Sequence, residues 1–302
     1  MSDTATAKSR SAGLLNRAEV AAATLPPLLV EAERVATTVH QGVHGRRRVG
    51  QGETFWQFRR FQEGDSGSQI DWRRSAKSDH LFVREMEWEA AQSVWLWRDP
   101  SSSMDYRHGR DLPSKQDRAS LLALALASLL IRSGERVAML GSGIRPGSAR
   151  VTLQRLAEFL TVAGMSGDHA ADSLPPAENL PLHAHLALFS DFFAPLPEIQ
   201  SRIHRFAERG MSGVLVQVLD PSEETLPFSG RVLFEGPENE GELLVSRVEA
   251  LREGYHGRMQ DHRQGLRDIA RSVGWTLLTH HTDQPPQAAL MALYSVLSRS
   301  EV

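Results

Sequence analysis

From Ser93 to the end of the chain, short apolar runs alternate with amphipathic segments, and this alternation constrains the fold more than any other feature. The runs 93–98 (SVWLWR), 136–140 (RVAML), 183–189 (HAHLALF), 214–219 (VLVQVL) and 275–279 (WTLLT) read as strands. They are almost continuously apolar, as strands covered on both faces are. Between them, residues 117–133, 153–162, 196–208, 248–273 and 285–297 carry helical periodicity, with Gly210 and Gly274 as stops. Residues 231–234 and 243–245 predict two further strands around a Gly236-Pro237 turn, and 149–152 predicts a short strand beside 136–140. Strands separated by helices predict an α/β domain over residues 93–300, with a Rossmann-type, mostly parallel sheet and helices on both faces.

The preceding residues have another texture. Residues 1–12 are Ser/Ala/Thr-rich and read as a disordered tail. Residues 13–40 predict N-terminal helices that meet at Pro26-Pro27, because proline is excluded from a helix interior. Residues 41–92 read as loop-rich, dominated by Gly, Arg, Asp and Trp, with weak apolar periodicity until Leu81-Phe82-Val83.

Bulk composition excludes several chemistries. The chain has no cysteine, which rules out disulfides, thiolate nucleophiles, thiolate zinc sites and iron–sulfur clusters. Its 34 basic and 37 acidic residues leave a net charge of −3, so nucleic acid and anionic membranes have no overall electrostatic pull. No apolar run approaches the roughly 20 residues of a membrane-spanning helix. The expectation is a soluble cytoplasmic protein with no membrane insertion of its own.

In parallel sheets, ligands sit at the carboxyl ends of the strands. The run 93–98 ends in Asp99-Pro100-Ser101-Ser102-Ser103, an Asp-x-Ser-x-Ser pattern, and 183–189 ends in Ser190-Asp191. Asp99, Ser101, Ser103 and Asp191 together offer an oxygen-only ligand set, which suits a hard cation such as Mg2+ or Mn2+. The same residue types also serve as ordinary turns and helix caps.

Other candidates carry less. Arg46-Arg47-Arg48 and Arg59-Arg60 lie near Phe55, Trp56, Phe58 and Phe61, but Glu53, Glu63 and Asp65 are at hand as counter-charges, and nucleic-acid binding is disfavoured. His183 and His185 share a strand face by period two, a zinc pair or simply strand residues. Ser101 and Ser103 lack the Gly-x-Ser-x-Gly elbow of a nucleophile. There is no phosphate-binding Gly-x-x-x-x-Gly-Lys-Ser/Thr loop, and Gly141-Ser142-Gly143 reads as a turn.

Several stretches resemble a known family. They are Phe58-Arg59-Arg60-Phe61-Gln62-Glu63-Gly64-Asp65, Ile70-Asp71-Trp72-Arg73-Arg74-Ser75-Ala76-Lys77 and Val83-Arg84-Glu85-Met86-Glu87. The Asp99 triplet follows, and Leu219-Asp220-Pro221-Ser222-Glu223, residues 262–274 and His281-Thr282-Asp283 complete the set. The pattern is similar to the bacterial domain-of-unknown-function family 58, which is related to von Willebrand factor A domains. The resemblance implies a von Willebrand factor A-like core and partnership with MoxR-type AAA+ ATPases. It also implies a metal ion-dependent adhesion site at Asp99, Ser101, Ser103 and Asp191. Arg59, Gly64, Asp65, Asp71, Trp72, Arg73, Ser75, Arg84 and Glu85 are its motif residues and the expected partner surface, although Asp71 and Trp72 also read as a turn cap and an anchor to the sheet.

One departure matters. Such adhesion sites take a Thr from the loop before the strand bearing the second Asp, and residues 163–172 contain none, leaving Ser166 or Asp168 as substitute ligands. Three readings follow. The first is a non-enzymatic binding and assembly module in which a partner carboxylate completes the shell of a Mg2+ ion. The second is a metal-assisted hydrolase using Asp105, His108 or Asp168 as base. The third is a metal-free scaffold that works through residues 52–89. The first is the expectation.

Overall fold

The computed structural model describes residues 48–50, 54–61, 70–78, 80–88, 93–163, 173–236 and 241–299, and the helices expected over 13–40 lie outside them. The described residues fall into two units, one within Glu31–Ala91 and the other within Gln92–Val302.

The first unit is more regular than its composition suggests. Strands β1 (Arg48–Gly50), β2 (Thr54–Arg60) and β3 (Phe82–Trp88) form an antiparallel sheet in the order β1-β3-β2. The expectation of a loop-rich segment therefore missed three strands. Their apolar alternation is broken by a register shift between Phe55 and Gln57, where a bulge realigns the ladder. A single helical turn, α1 (Trp72–Ser75), interrupts the segment. Asp71 caps it by accepting a hydrogen bond from the Arg74 amide at 2.9 Å. The Ser75 hydroxyl accepts from the Phe82 amide at 2.9 Å, and the Asp71 amide donates to the Phe82 carbonyl, so the turn is pinned to the start of β3.

The second unit is built on five strands. They are β4 (Ser93–Arg98), β5 (Arg136–Met139), β6 (His185–Ser190), β7 (Ser212–Leu219) and, after a separate ribbon, β10 (Thr276–His281). The order is β10-β7-β6-β4-β5, and every pairing is parallel. The ribbon, β8 (Val232–Glu235) with β9 (Glu242–Val245), is antiparallel.

Strand residues alternate between two buried faces. Val94 and Leu96 of β4 join one apolar cluster with Val137, Met139, Phe189 and Val216. On that side lie α2 (Lys115–Arg132), α3 (Arg150–Ala163) and α7 (Pro286–Arg299). Trp95 and Trp97 join the other cluster with Leu186, Leu188 and Leu215, beneath α4 (Leu196–Ala207) and α6 (Arg252–Ser272). Each fully buried large aliphatic side chain contributes about 1.5–3 kcal/mol, and α2 alone buries Leu121, Leu122, Leu124, Leu126, Leu129 and Leu130. The expected α/β class, with a parallel sheet covered on both faces, is the fold observed. A short strand at 149–152 is not: α3 begins at Arg150, and the neighbour of β5 there is only a bridge from Val137 to Gly147. The remaining helix, α5 (Pro221–Thr225), is a single turn after β7.

Strand order reverses around β4. The chain goes from β4 to β5 on one side, then crosses to β6 on the other. The crevice between the carboxyl ends of β4 and β6 is the switch point where such sheets place their sites. Asp99 and Asp191 are the residues that directly follow those two strands.

Candidate functional site

The switch point brings the four expected oxygen donors together. Asp99 is sealed from solvent; its Oδ1 accepts from the Ser101 amide at 2.8 Å and its Oδ2 from the Ser190 hydroxyl at 2.6 Å. The Ser101 and Ser103 hydroxyls lie 3.1 Å apart, and Ser103 Oγ donates to Asp191 Oδ2 at 2.8 Å. Burial, and then the charge of Asp191, push the Asp99 carboxyl up to about 7, against the Ser101 and Ser190 hydrogen bonds that pull it down. The backbone is shaped to this end: Phe192, next to Asp191, takes the left-handed conformation with φ 54°. That turn lets the Phe192 amide reach Ser190 Oγ at 2.9 Å and the Phe193 amide reach Asp191 Oδ1 at 3.1 Å.

Two residues complete the site: Lys115, which no sequence pattern reveals, and Glu223, which lies in the matching stretch 219–223 without a site role read from it. Lys115, the first residue of α2, is 1% exposed. Its Nζ donates to Asp191 Oδ2 at 2.7 Å and to Glu223 Oε1 at 2.6 Å. Burial alone would lower the Lys115 pKa, but the carboxylates of Asp191 and Glu223 outweigh it and hold the ammonium above its ordinary value. Glu223 is itself fixed by a capping box at the start of α5, where its Oε2 accepts from the Asp220 amide at 2.9 Å. Asp220, at the end of β7, binds the Ser222 amide and hydroxyl and the His108 amide, and Ser222 Oγ lies 2.9 Å from the Tyr106 hydroxyl. Three adjacent parallel strands thus each end in an aspartate, and one lysine bridges the last two strand ends.

The donor set as arranged does not fit a divalent ion. Asp191 Oδ2, the oxygen such an ion would need, already accepts from both Ser103 and a fixed ammonium. A dication at that oxygen would face Lys115 at a few ångströms, where like charges repel strongly in a desolvated site. Among the described residues, no group of three or more His, Asp or Glu is placed to hold a metal. Ser166 and Asp168 lie outside the described residues. Asp105 and His108, proposed as bases, are exposed, and the His108 ring packs edge-on against Phe228 with centroids 5.2 Å apart. His185 is buried with its Nδ1 2.5 Å from the Ser212 hydroxyl, while His183 precedes the strand in a turn with φ 61°, so the two do not form a strand-face pair.

The motif residues of the first unit are placed as follows. Arg59 pairs with Val83 across β2 and β3, Arg84 with Phe58, and Glu85 with Gln57. Gly64 and Asp65 lie outside the described residues. Asp71 is a cap and Ser75 a buried hydrogen-bond acceptor. Trp72, read as an anchor to the sheet, is instead 65% exposed, with Arg73 and Arg74 exposed beside it.

The family model for the protein of unknown function DUF58 matches residues 57–265, more than half of the chain. The chain belongs to the DUF58 family. An uncharacterized protein of Mycobacterium bovis, Mb1516, and one of Mycobacterium tuberculosis, Rv1480, are each 28% identical to this DUF58 chain over 276 residues, covering 87% of it and 85% of the relative. Among solved structures, an aerotolerance-related membrane protein from Bacteroides fragilis matches 69% of the DUF58 chain and 99% of its own, at 14% identity and a TM-score of 0.43. No described helix of the DUF58 chain is long and apolar enough to cross a membrane.

Proposed function

We propose that this DUF58 member is a non-enzymatic, cytoplasmic protein-binding and assembly module with a von Willebrand factor A-like core, acting with a MoxR-type AAA+ ATPase. The observation that carries the reading is Trp72. A tryptophan left 65% exposed costs hydration free energy unless a partner covers it. It stands on a turn held at both ends, by the Asp71 cap and by the Ser75 hydrogen bond, so little conformational entropy remains to be lost on binding. Arg73 and Arg74 flank it, and Trp and Arg are the residue types that dominate binding hot spots. This version does not route binding through a divalent ion, because Lys115 occupies the carboxylate such an ion would need.

The test is calorimetric titration of the full chain with the purified MoxR-type ATPase of the same genome, in its ATP- and ADP-bound states. Binding is expected, with at least a tenfold loss in Trp72→Ala and a further loss in Arg73→Glu. A wild type that binds the ATPase in neither state removes the partner. A Trp72→Ala protein that binds as tightly as wild type removes the surface.

A further inference from the structure

We infer that the resident cation of the strand-end site is the chain's own Lys115 ammonium, standing where the adhesion motif would hold a dication. Its surroundings are those of a bound cation. Asp191 and Glu223 contact it at 2.7 and 2.6 Å. The Phe193 and Tyr106 rings lie with their centroids 5.2 and 5.8 Å from Nζ, within cation–π range. The Ser103 hydroxyl shares the Asp191 oxygen that the ammonium contacts. The ammonium thus ties three segments together: the loop after β4, the end of β6 and the turn α5 after β7.

Two features of the sequence mark Lys115 as placed for this role. It is the first residue of an 18-residue helix, where the macrodipole repels a cation, so helix stability does not account for it. The chain also uses lysine sparingly: of 34 basic residues only Lys8, Lys77 and Lys115 are lysines, and the remainder are arginines. Lys115 is the compact, three-donor ammonium that a cage of two carboxylates and two rings requires, rather than a planar guanidinium.

The functional consequence follows from the charge and the coordination. An ammonium offers no open coordination position, and at 1% exposure no partner carboxylate reaches it. Partner capture by this family member is then independent of Mg2+ and Mn2+ and indifferent to chelators, unlike metal-bridged adhesion. The claim stands apart from the identity of the partner.

The experiment uses the full chain and Mn2+ as probe. Wild type is expected to show no saturable Mn2+ binding by electron paramagnetic resonance at millimolar concentration, and no change in melting temperature with Mn2+ or chelator. Lys115→Ser frees both carboxylates and is expected to gain one Mn2+ site and Mn2+-dependent thermal stabilisation, both abolished in Lys115→Ser/Asp191→Asn. Saturable Mn2+ binding by wild type that disappears in Asp191→Asn would overturn the inference, as would a folded Lys115→Ser protein that binds no Mn2+. If Lys115→Ser does not fold, 15N-lysine labelling of wild type decides. A solvent-protected Lys115 ammonium signal untouched by added Mn2+ is expected, and selective broadening of that signal by stoichiometric Mn2+ overturns the inference.

Discussion

The Lys115 ammonium lies 2.7 Å from Asp191 Oδ2, and both side chains are almost completely withdrawn from solvent. Removing one member of such a pair leaves the other charge buried without compensation. Lys115→Met is expected to cost about 3–5 kcal/mol of stability in urea denaturation. Lys115→Arg recovers only part of this, because a planar fork does not fit a cage shaped for a point charge.

The pH dependence of stability contains two opposed contributions. Burial, then the charges of Arg118 and His281, lower the His280 pKa from 6.5 to about 4. The unfolded chain therefore binds this proton below 6.5 and the native chain only below about 4, so acidification across that window weakens the fold, by up to about 3 kcal/mol. Asp99 has the reverse sign: its carboxyl ionises at 3.8 when unfolded and at about 7 when folded, so raising the pH across that window weakens the fold by up to about 4 kcal/mol. Urea midpoints measured between these limits are expected to rise more steeply with pH in Asp99→Asn than in wild type. In His280→Asn they are expected to fall relative to wild type as pH rises.

Two glycines should respond to alanine in opposite directions. A Cβ on Gly213 of β7 would lie 2.8 Å from the Trp275 ring and 2.9 Å from the Leu186 carbonyl oxygen. The ring cannot yield, since its Nε1 donates to the Met211 carbonyl at 3.0 Å, and Gly213→Ala is expected to destabilise by about 1–3 kcal/mol. Gly254 lies in α6 with nothing within 4 Å of its Cβ position, so Gly254→Ala is expected to stabilise by about 0.5–1 kcal/mol. Thermal melts of the two variants check both signs.

Trp72→Ala should separate stability from binding. At 65% exposure the side chain gives the isolated chain little, and the melting midpoint is expected to move by less than about 0.5 kcal/mol equivalent. A large destabilisation would return Trp72 to the role of internal anchor.

The alternation of apolar runs made the second unit legible, because a strand covered on both faces leaves an uninterrupted apolar signal. Val151 and Thr152 favour strands, whereas here they form the first turn of a helix that packs through Leu153, Leu156 and Leu160. The antiparallel sheet of the first unit was hidden by short strands and a bulge. At the site, Asp99, Ser101, Ser103 and Asp191 were visible because strand ends are sequence-local. Lys115 was not, and Glu223 stood in the stretch 219–223 without its link to the site, because what joins them is the contact of Lys115 across 76 and 108 residues. A basic residue directly after the helix cap Ser114, against the helix dipole, was the signal available for Lys115.

The ladder order also dictates the sequence in which the molecule can assemble during synthesis. Strand β4 is made before either neighbour, and Ser103 finds Asp191 only after another 88 residues of chain. Lys115 leaves the ribosome with its helix while neither of its anions exists, and must stay hydrated until β6 and then α5 have followed. A nascent chain halted short of Glu223 therefore displays to amine reagents a lysine that the finished protein conceals, which makes the reactivity of that one side chain a clock for completion of the sheet.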